Sequence, residues 1–388
     1  MKAMPNLPIP KSPDDEPLFI VWLTTVLQEA GAIGRTAAPL REVRWEIIGQ
    51  ESGFTGVVTR IRLDHYIPQE GALQSLVAKF PNAPRLVQST YRTAQAGDPE
   101  ATRRFYERCA REVYFYRDIA AHGTAPTPRM YYGAADMEAG RFVLLLEDLA
   151  HFRGGDALLS SSESEAEAVV RAIAPFHARW WEHPTLDALK WLPRWGGDPE
   201  TAARRYAGNM RLFLDRHGPR IPSHVRPLIE SLAPNYAKLI STQGSSPLTI
   251  VHADLHLDNV LFGPEDSSPE VKIIDWQTVS RGRAGLDLGS FLFGSLDITM
   301  RRRIEGDLRR LYYSLLAEDG VKAFTPEDLL RDCRLALLWQ LGGTVNWLAS
   351  VDIESLAGRE RALIESIFSE GRLFAALADH HASDLLPL

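Results

Sequence analysis

VHADLHLDNVLF, residues 251–262, sets two histidines, two aspartates and an asparagine between Val251 and the apolar run Val260, Leu261 and Phe262. Polar groups tied this closely to a core at both ends cost solvation unless they are paired or used. Two chemistries fit the pattern. His252, Asp254 and His256 alternate, so an extended segment would turn all three side chains to one side, as a metal-dependent hydrolase would require. A hydrolytic zinc site wants a further nitrogen or carboxylate ligand from elsewhere. The other nine of the eleven histidines offer no H-x-x-x-H pair to supply it, and this reading leaves Asn259 and Asp275 without a task.

The second chemistry is phosphoryl transfer. Asp254 and Asn259 are five apart, the H-x-D-x-x-x-x-N spacing of a phosphotransfer catalytic loop. Asp275 follows sixteen residues after Asn259, at the end of VKII. GPEDSSPE reads as a turn, which makes NVLF and VKII a hairpin and brings Asn259 and Asp275 together at its end. An amide oxygen and a carboxylate form a hard-oxygen pair suited to magnesium, with nucleotide phosphates completing the shell. Asp254 would then face the incoming hydroxyl.

Around this stretch the chain divides in character. A helix is predicted over 18–30, then strands VRWEII, GVVTRIRL and SLVAKF, a long helix from residue 100, and the strand RFVLLLEDL, whose unbroken apolar run suits burial on both faces. From 163 onward the periodicity is helical, at 163–183, 200–216, 224–240, 299–317, 326–350 and 358–378, with strands only within 248–276. This predicts an α+β protein with a mixed N-terminal lobe, 1–148, and a mainly helical C-terminal lobe, 149–388. With 388 residues the chain exceeds what one core ordinarily serves. Its net charge of -7 argues against a nucleic-acid partner held through phosphate neutralisation. Two cysteines in separate helical segments make no disulfide framework. No run of about 18 apolar residues is present and no signal core opens the chain, so the expectation is a soluble, cytoplasmic protein with no membrane partner. Oligomeric state is left open.

VHADLHLDNVLF…VKIIDWQ…GLDLGSFL resembles the aminoglycoside phosphotransferase and choline kinase superfamily of small-molecule kinases, with a protein-kinase-like two-lobed fold. IDWQ followed by DLGSFL is most similar to the ecdysteroid-kinase-like branch. The resemblance implies that Asp254 is the catalytic base, that Asn259 and Asp275 hold Mg2+, and that Asp287 braces the loop backbone. His252 would shape the loop, while His256 and Asp258 read as solvent-facing residues without a role. Many members carry Gly where this chain has Ala253, a change expected to leave the chemistry intact.

A lobe of this kind needs a strand lysine held by a helix carboxylate. LVAKF offers Lys79, similar to the V-A-I-K strand. At 100° per residue, Phe105, Cys109, Glu112, Val113, Tyr116 and Ala120 share one helix face, and an inward Glu112 wants a cation such as Lys79. GQESGFTG places Gly49, Gly53 and Gly56 between two strands, where backbone amides could approach phosphates. LLLEDL resembles the hinge that meets the nucleotide base through backbone groups of Glu147 and Leu149. The resemblance implies ATP as donor, with GTP left open, and a small-molecule hydroxyl as acceptor. His177, in the helix APFHARWW, reads as a satisfied core histidine. Seven of nine tryptophans lie beyond residue 151, compatible with a ring-shaped acceptor or with helix packing alone. A nucleotide-binding pseudoenzyme is the other alternative to an active kinase.

Overall fold

The computed structural model describes residues 9–10, 16–34, 40–48, 57–66, 72–80, 99–264, 268–369 and 371–388. Two compact units emerge, one running to Gly123 and taking in Thr127–Ala150, the other comprising Thr124–Pro126 and His151–Leu388.

The first unit holds helix α1 (Glu16–Glu29), strands β1 (Leu40–Ile48), β2 (Val57–His65) and β3 (Ser75–Phe80), helix α2 (Pro99–Asp118), and strands β4 (Met130–Asp136) and β5 (Arg141–Glu147). The strands form one sheet in the order β1-β2-β3-β5-β4 with every neighbouring pair antiparallel. Phe19, Leu23, Val26 and Leu27 of α1 join Leu76, Ala78 and Phe80 of β3 and Val143 and Leu145 of β5 in one core. Side chains alternate along a strand, so Leu76, Ala78 and Phe80 spend β3's one face on that core and Lys79 points to the other. Val143 to Leu146 are all buried, as the unbroken apolar run predicts. Strand β4 was not predicted. MYYGAAD lacks alternation because Gly133 lets α2 approach: a Cβ there would lie 3.2 Å from Val113 Cγ1.

The second unit contains β6 (Arg153–Gly154), α3 (Glu163–Arg179), α4 (Pro199–His217), α5 (Arg226–Leu232), α6 (Tyr236–Gln243), β7 (Thr249–Val251), β8 (Val260–Phe262), β9 (Val271–Ile273), β10 (Ser280–Gly282), α7 (Gly285–Ser295), α8 (Ile298–Glu318), α9 (Pro326–Leu348), α10 (Gly358–Ser369) and α11 (Arg372–Asp379). Strands β8 and β9 form the predicted hairpin, with β6 on its outer edge, and β7 pairs with β10. Two predicted helices divide. The 224–240 segment breaks around Pro234, which has no N–H to continue the ladder. The 358–378 segment breaks at Gly371, whose φ is +62°. Helix α7 was missed because it is buried on every side. Ten of its eleven residues are buried, and such a helix has no amphipathic period to read. Gly285 and Gly289 let it lie against α9, since a Cβ at Gly289 would sit 2.9 Å from Ala336 Cβ. Among the described residues no helix is long and apolar enough to cross a membrane.

Candidate active site

The segment between β7 and β8 is gripped by one carboxylate. Asp287, from buried helix α7, accepts the His252 N–H on Oδ2 at 2.6 Å and the Ala253 N–H on Oδ1 at 2.8 Å. Its side chain is 1% exposed, a depth at which a carboxylate needs such charge-assisted partners. His177 Nε2 lies 3.3 Å from the same Oδ2, and His177 Nδ1 lies 2.5 Å from the Tyr312 hydroxyl. Burial first, then the charge of Asp287, pushes the Tyr312 hydroxyl well above the usual phenol range. A carboxylate can only accept, so His177 Nε2–H donates to Asp287 and Nδ1 is left to accept from the Tyr312 hydroxyl. His177 is the satisfied core histidine the sequence predicts, and it buttresses the brace.

Ala253 sits at φ +68°. The left-handed region costs an L-residue about 1–2 kcal/mol. Ala253 belongs to a small buried cluster with Val251, Leu286 and Ala336, against which Trp195 and Trp339 pack. Ala253→Gly would relieve the backbone, but it forfeits about 0.8 kcal/mol of methyl burial and about 0.4–1 kcal/mol through a freer unfolded chain. We expect its stability to match wild type within about 1 kcal/mol. Ala253→Val, branched at the same φ, should lose more than about 2 kcal/mol. Urea midpoints of the two variants check this, and equal midpoints would remove the strain from the account.

Beyond the brace the loop turns on itself. His252 is buried, with Nε2 donating to the Ile274 carbonyl at 2.9 Å and Nδ1 accepting the Asp254 N–H at 3.3 Å. Both ring nitrogens are thus committed, so His252 shapes the loop and the His252/Asp254/His256 ligand set does not form. Among the described residues no group of three His, Cys, Asp or Glu side chains is placed to hold a metal. Asp254 keeps 47% of its side chain exposed. Asn259 Nδ2 donates to the Asp254 carbonyl at 2.9 Å and lies 3.2 Å from His256 Nε2. A carbonyl can only accept, so the amide nitrogen is fixed there, His256 Nε2 accepts the second hydrogen, and the Asn259 oxygen is the atom left for a cation.

Two predictions about this loop need correction. His256 is not idle, because it orients the Asn259 amide. Asp258 is not solvent-facing. The one-turn helix Leu257–Asn259 rolls it inward, where its carboxylate, 9% exposed, meets Arg359 at 2.7 Å.

The hairpin register pairs Val260 with Ile273, and the Ile274 N–H donates to the Asn259 carbonyl at 2.9 Å, so Asp275 follows directly on Asn259's partner. Asp275 is itself left-handed, φ +66° and ψ +55°, a conformation that aspartate tolerates better than most residues. Its Oδ2 accepts from Gln277 Nε2 at 3.0 Å. Asn259 and Asp275 offer a donor set of the kind magnesium takes, one neutral oxygen and one charged.

In the first unit Lys79 Nζ meets Glu112 Oε1 at 2.7 Å, with side chains 15% and 5% exposed. Gly49, Gly53 and Gly56 lie outside the described residues. Glu147 ends β5, and its N–H donates to the Arg129 carbonyl at 2.8 Å, so only its carbonyl could face a base. Leu149 is buried two residues on.

A profile of the phosphotransferase enzyme family (APH) matches residues 65–324, a span holding Lys79, Glu112, the 252–259 loop, Asp275 and Asp287. The chain belongs to the phosphotransferase enzyme family. Among solved structures this phosphotransferase is similar to choline kinase from Cryptosporidium parvum Iowa II, with TM-score 0.55 and 10% identity over 94% of this chain and 97% of that one. It is also similar to a Ralstonia eutropha JMP134 protein provisionally described as an aminoglycoside phosphotransferase, with TM-score 0.54 and 15% identity over 92% and 98%. A third is the GDP and kanamycin complex of APH(2″)-IIIa, with TM-score 0.51 and 13% identity over 94% and 100%. At these identities the likeness shows the fold, the protein-kinase-like one. No curated protein matches the phosphotransferase.

Proposed function

We propose that this phosphotransferase moves the γ-phosphoryl group of ATP to a hydroxyl of a small organic molecule. The observation that carries the reading is the braced loop, with a half-exposed Asp254 beside an Asn259 whose amide nitrogen is committed to the loop, which leaves its oxygen to serve a cation. The acceptor oxygen forms a bond to the γ-phosphorus, the bond to the β–γ bridging oxygen breaks, and its electron pair leaves on ADP. Asp254 takes the acceptor's proton as the hydroxyl becomes a nucleophile. Magnesium on Asn259 and Asp275 would neutralise charge on the phosphate oxygens. Lys79, held by Glu112, would contact the phosphates, Gly53 and Gly56 would bring backbone amides near them, and the backbone of Glu147 and Leu149 would meet the base. The same residues leave GTP open as an alternative donor.

For the acceptor we favour a molecule with an apolar ring, in line with the ecdysteroid-kinase-like branch. Trp195 and Trp339, both partly exposed, meet edge to face at 4.8 Å and pack against the small buried cluster that includes Ala253, the neighbour of Asp254. Aromatic faces of this kind suit ring systems.

Millimolar Mg-ATP or Mg-GTP should raise the thermal midpoint of the wild type. A ligand at a hundredfold excess over Kd stabilises by about 2.7 kcal/mol. Asp275→Asn should lose most of this shift, since the metal loses its charged ligand. No shift with either nucleotide would overturn the reading. Release of ADP on adding one of a panel of ring-bearing alcohols would identify the acceptor and separate an active kinase from a nucleotide-binding pseudoenzyme.

A further inference from the structure

The ion pair at Asp258 reaches outside the machinery described so far. Asp258 stands four residues after Asp254 and one before Asn259, and its Oδ1 accepts the Ala157 N–H at 2.7 Å and Arg359 Nη2 at 2.7 Å. Arg359 Nη1 lies 2.8 Å from Asp156 Oδ1. One planar guanidinium, 19% exposed, thus bridges two carboxylates, one on the segment after β6 and one in the catalytic loop. Without it two like charges would be left beside each other in a half-buried place, where they repel. Arg372, on α11, donates from Nη1 to the carbonyls of Ala157, Leu159 and Gly294 and so holds the 157–159 segment a second time. Arg359 and Arg372 both lie beyond residue 324, where the family match ends.

We infer that Arg359 is a positioning residue for phosphoryl transfer, fixing through Asp258 the turn Leu257–Asn259 and with it the direction of the Asn259 amide oxygen. The inference rests on the reading that Asn259 holds magnesium. The turn is a single three-residue helix, closed by the Val260 N–H on the Leu257 carbonyl and entered by the Asn259 N–H on the His256 carbonyl. So short a turn has little stiffness of its own. The side chain at its centre therefore sets its tilt. Partners that orient a metal ligand typically change metal affinity about 10–100-fold when removed. Lysine in place of arginine would keep the charge but lose the planar fork that spans both carboxylates.

The test is a magnesium titration of the full chain at fixed ATP, following the ATP-dependent rise in thermal midpoint. Arg359→Gln and Asp258→Asn should each raise the half-saturating magnesium concentration by about tenfold or more. Arg359→Lys should fall between Gln and wild type. The double variant should shift no further than the larger single one, because both act through one contact. Arg361→Gln, on the same helix and paired only loosely with Glu354 at 3.5 Å, should titrate as wild type. Should Arg359→Gln fail to fold, Arg359→Lys and Asp258→Asn carry the comparison. A merely structural ion pair would lower the nucleotide-free midpoint and leave the magnesium dependence of every folded variant unchanged; that result overturns the inference. If the wild type itself shows no magnesium-dependent binding of ATP, the phosphotransfer reading of Asn259 fails and takes the inference with it.

Discussion

Asp254→Asn should lower the rate of phosphoryl transfer by about 10²–10⁴, the usual worth of a positioned proton acceptor, while Mg-ATP affinity stays near that of wild type. The substitution keeps the shape of the side chain and removes its basicity. It leaves alone the two main-chain contacts of the residue, its N–H to His252 Nδ1 and its carbonyl to Asn259 Nδ2. Asn259 should therefore present its oxygen as before. Because the side chain is half exposed, the fold should lose little. His256→Ala makes the informative comparison. It removes the acceptor for Asn259's second amide hydrogen and spares the proton acceptor, so it should cost less in rate and appear mainly as a higher magnesium requirement. ADP formation with the acceptor, measured across magnesium concentrations for both variants, separates the roles. Wild-type turnover by Asp254→Asn would refute the assignment. A His256→Ala variant as inactive as Asp254→Asn, and stripped of a stoichiometric metal, would restore the metal-hydrolase alternative.

What could be read from the chain alone follows from how local each signal is. Asp254, Asn259 and Asp275 stand within one loop and one hairpin, so spacing alone places them near each other. Lys79 was legible because strand alternation sends it away from Leu76, Ala78 and Phe80, and Glu112 because a helical stripe carries it inward. The partners of the loop were not legible in the same way. Arg359 reaches Asp258 across 101 residues, and Tyr312 reaches His177 across 135, with no periodicity to link them. Asp258 read as solvent-facing because a charged residue in a polar loop ordinarily is, and it takes two distant groups, the Arg359 guanidinium and the Ala157 N–H, to make its burial tolerable. Helix α7 was hidden by its uniform burial, although it carries the residue on which the loop hangs. The departure at Ala253 looked neutral in sequence, where a positive φ leaves no mark.

Asp287→Asn should cost about 3 kcal/mol or more of stability, since hydrogen bonds to a charged acceptor are worth about 1.5–3 kcal/mol and an orphaned buried donor costs about 1–3 kcal/mol, and should lower the rate as well. Asp287 uses both oxygens as acceptors, Oδ1 for Ala253 and Oδ2 for His252 and His177. An asparagine offers one acceptor and one donor in the same space. Turning its oxygen toward Oδ2's two partners is the better choice, and it sets an NH2 against the Ala253 N–H. That amide then stays buried without a partner, a penalty of about 1–3 kcal/mol by itself, and the remaining bonds lose their charge. The released residue is the one at φ +68°, so the strain that Asp287 held in place can relax, and Asp254, next in the chain, moves with it. Tyr312→Phe gives a graded comparison. It removes the hydroxyl on His177 Nδ1 but leaves the carboxylate and both backbone bonds, so about 1 kcal/mol and a small rate change are expected. Since the tyrosine hydroxyl is held far above its usual range, neither variant's difference from wild type should depend on pH between about 6 and 9 through that group. Urea midpoints and ADP formation for the two variants decide it. If Asp287→Asn unfolds within about 1 kcal/mol of wild type and keeps full turnover, the loop is held by its own turn contacts and the brace is incidental.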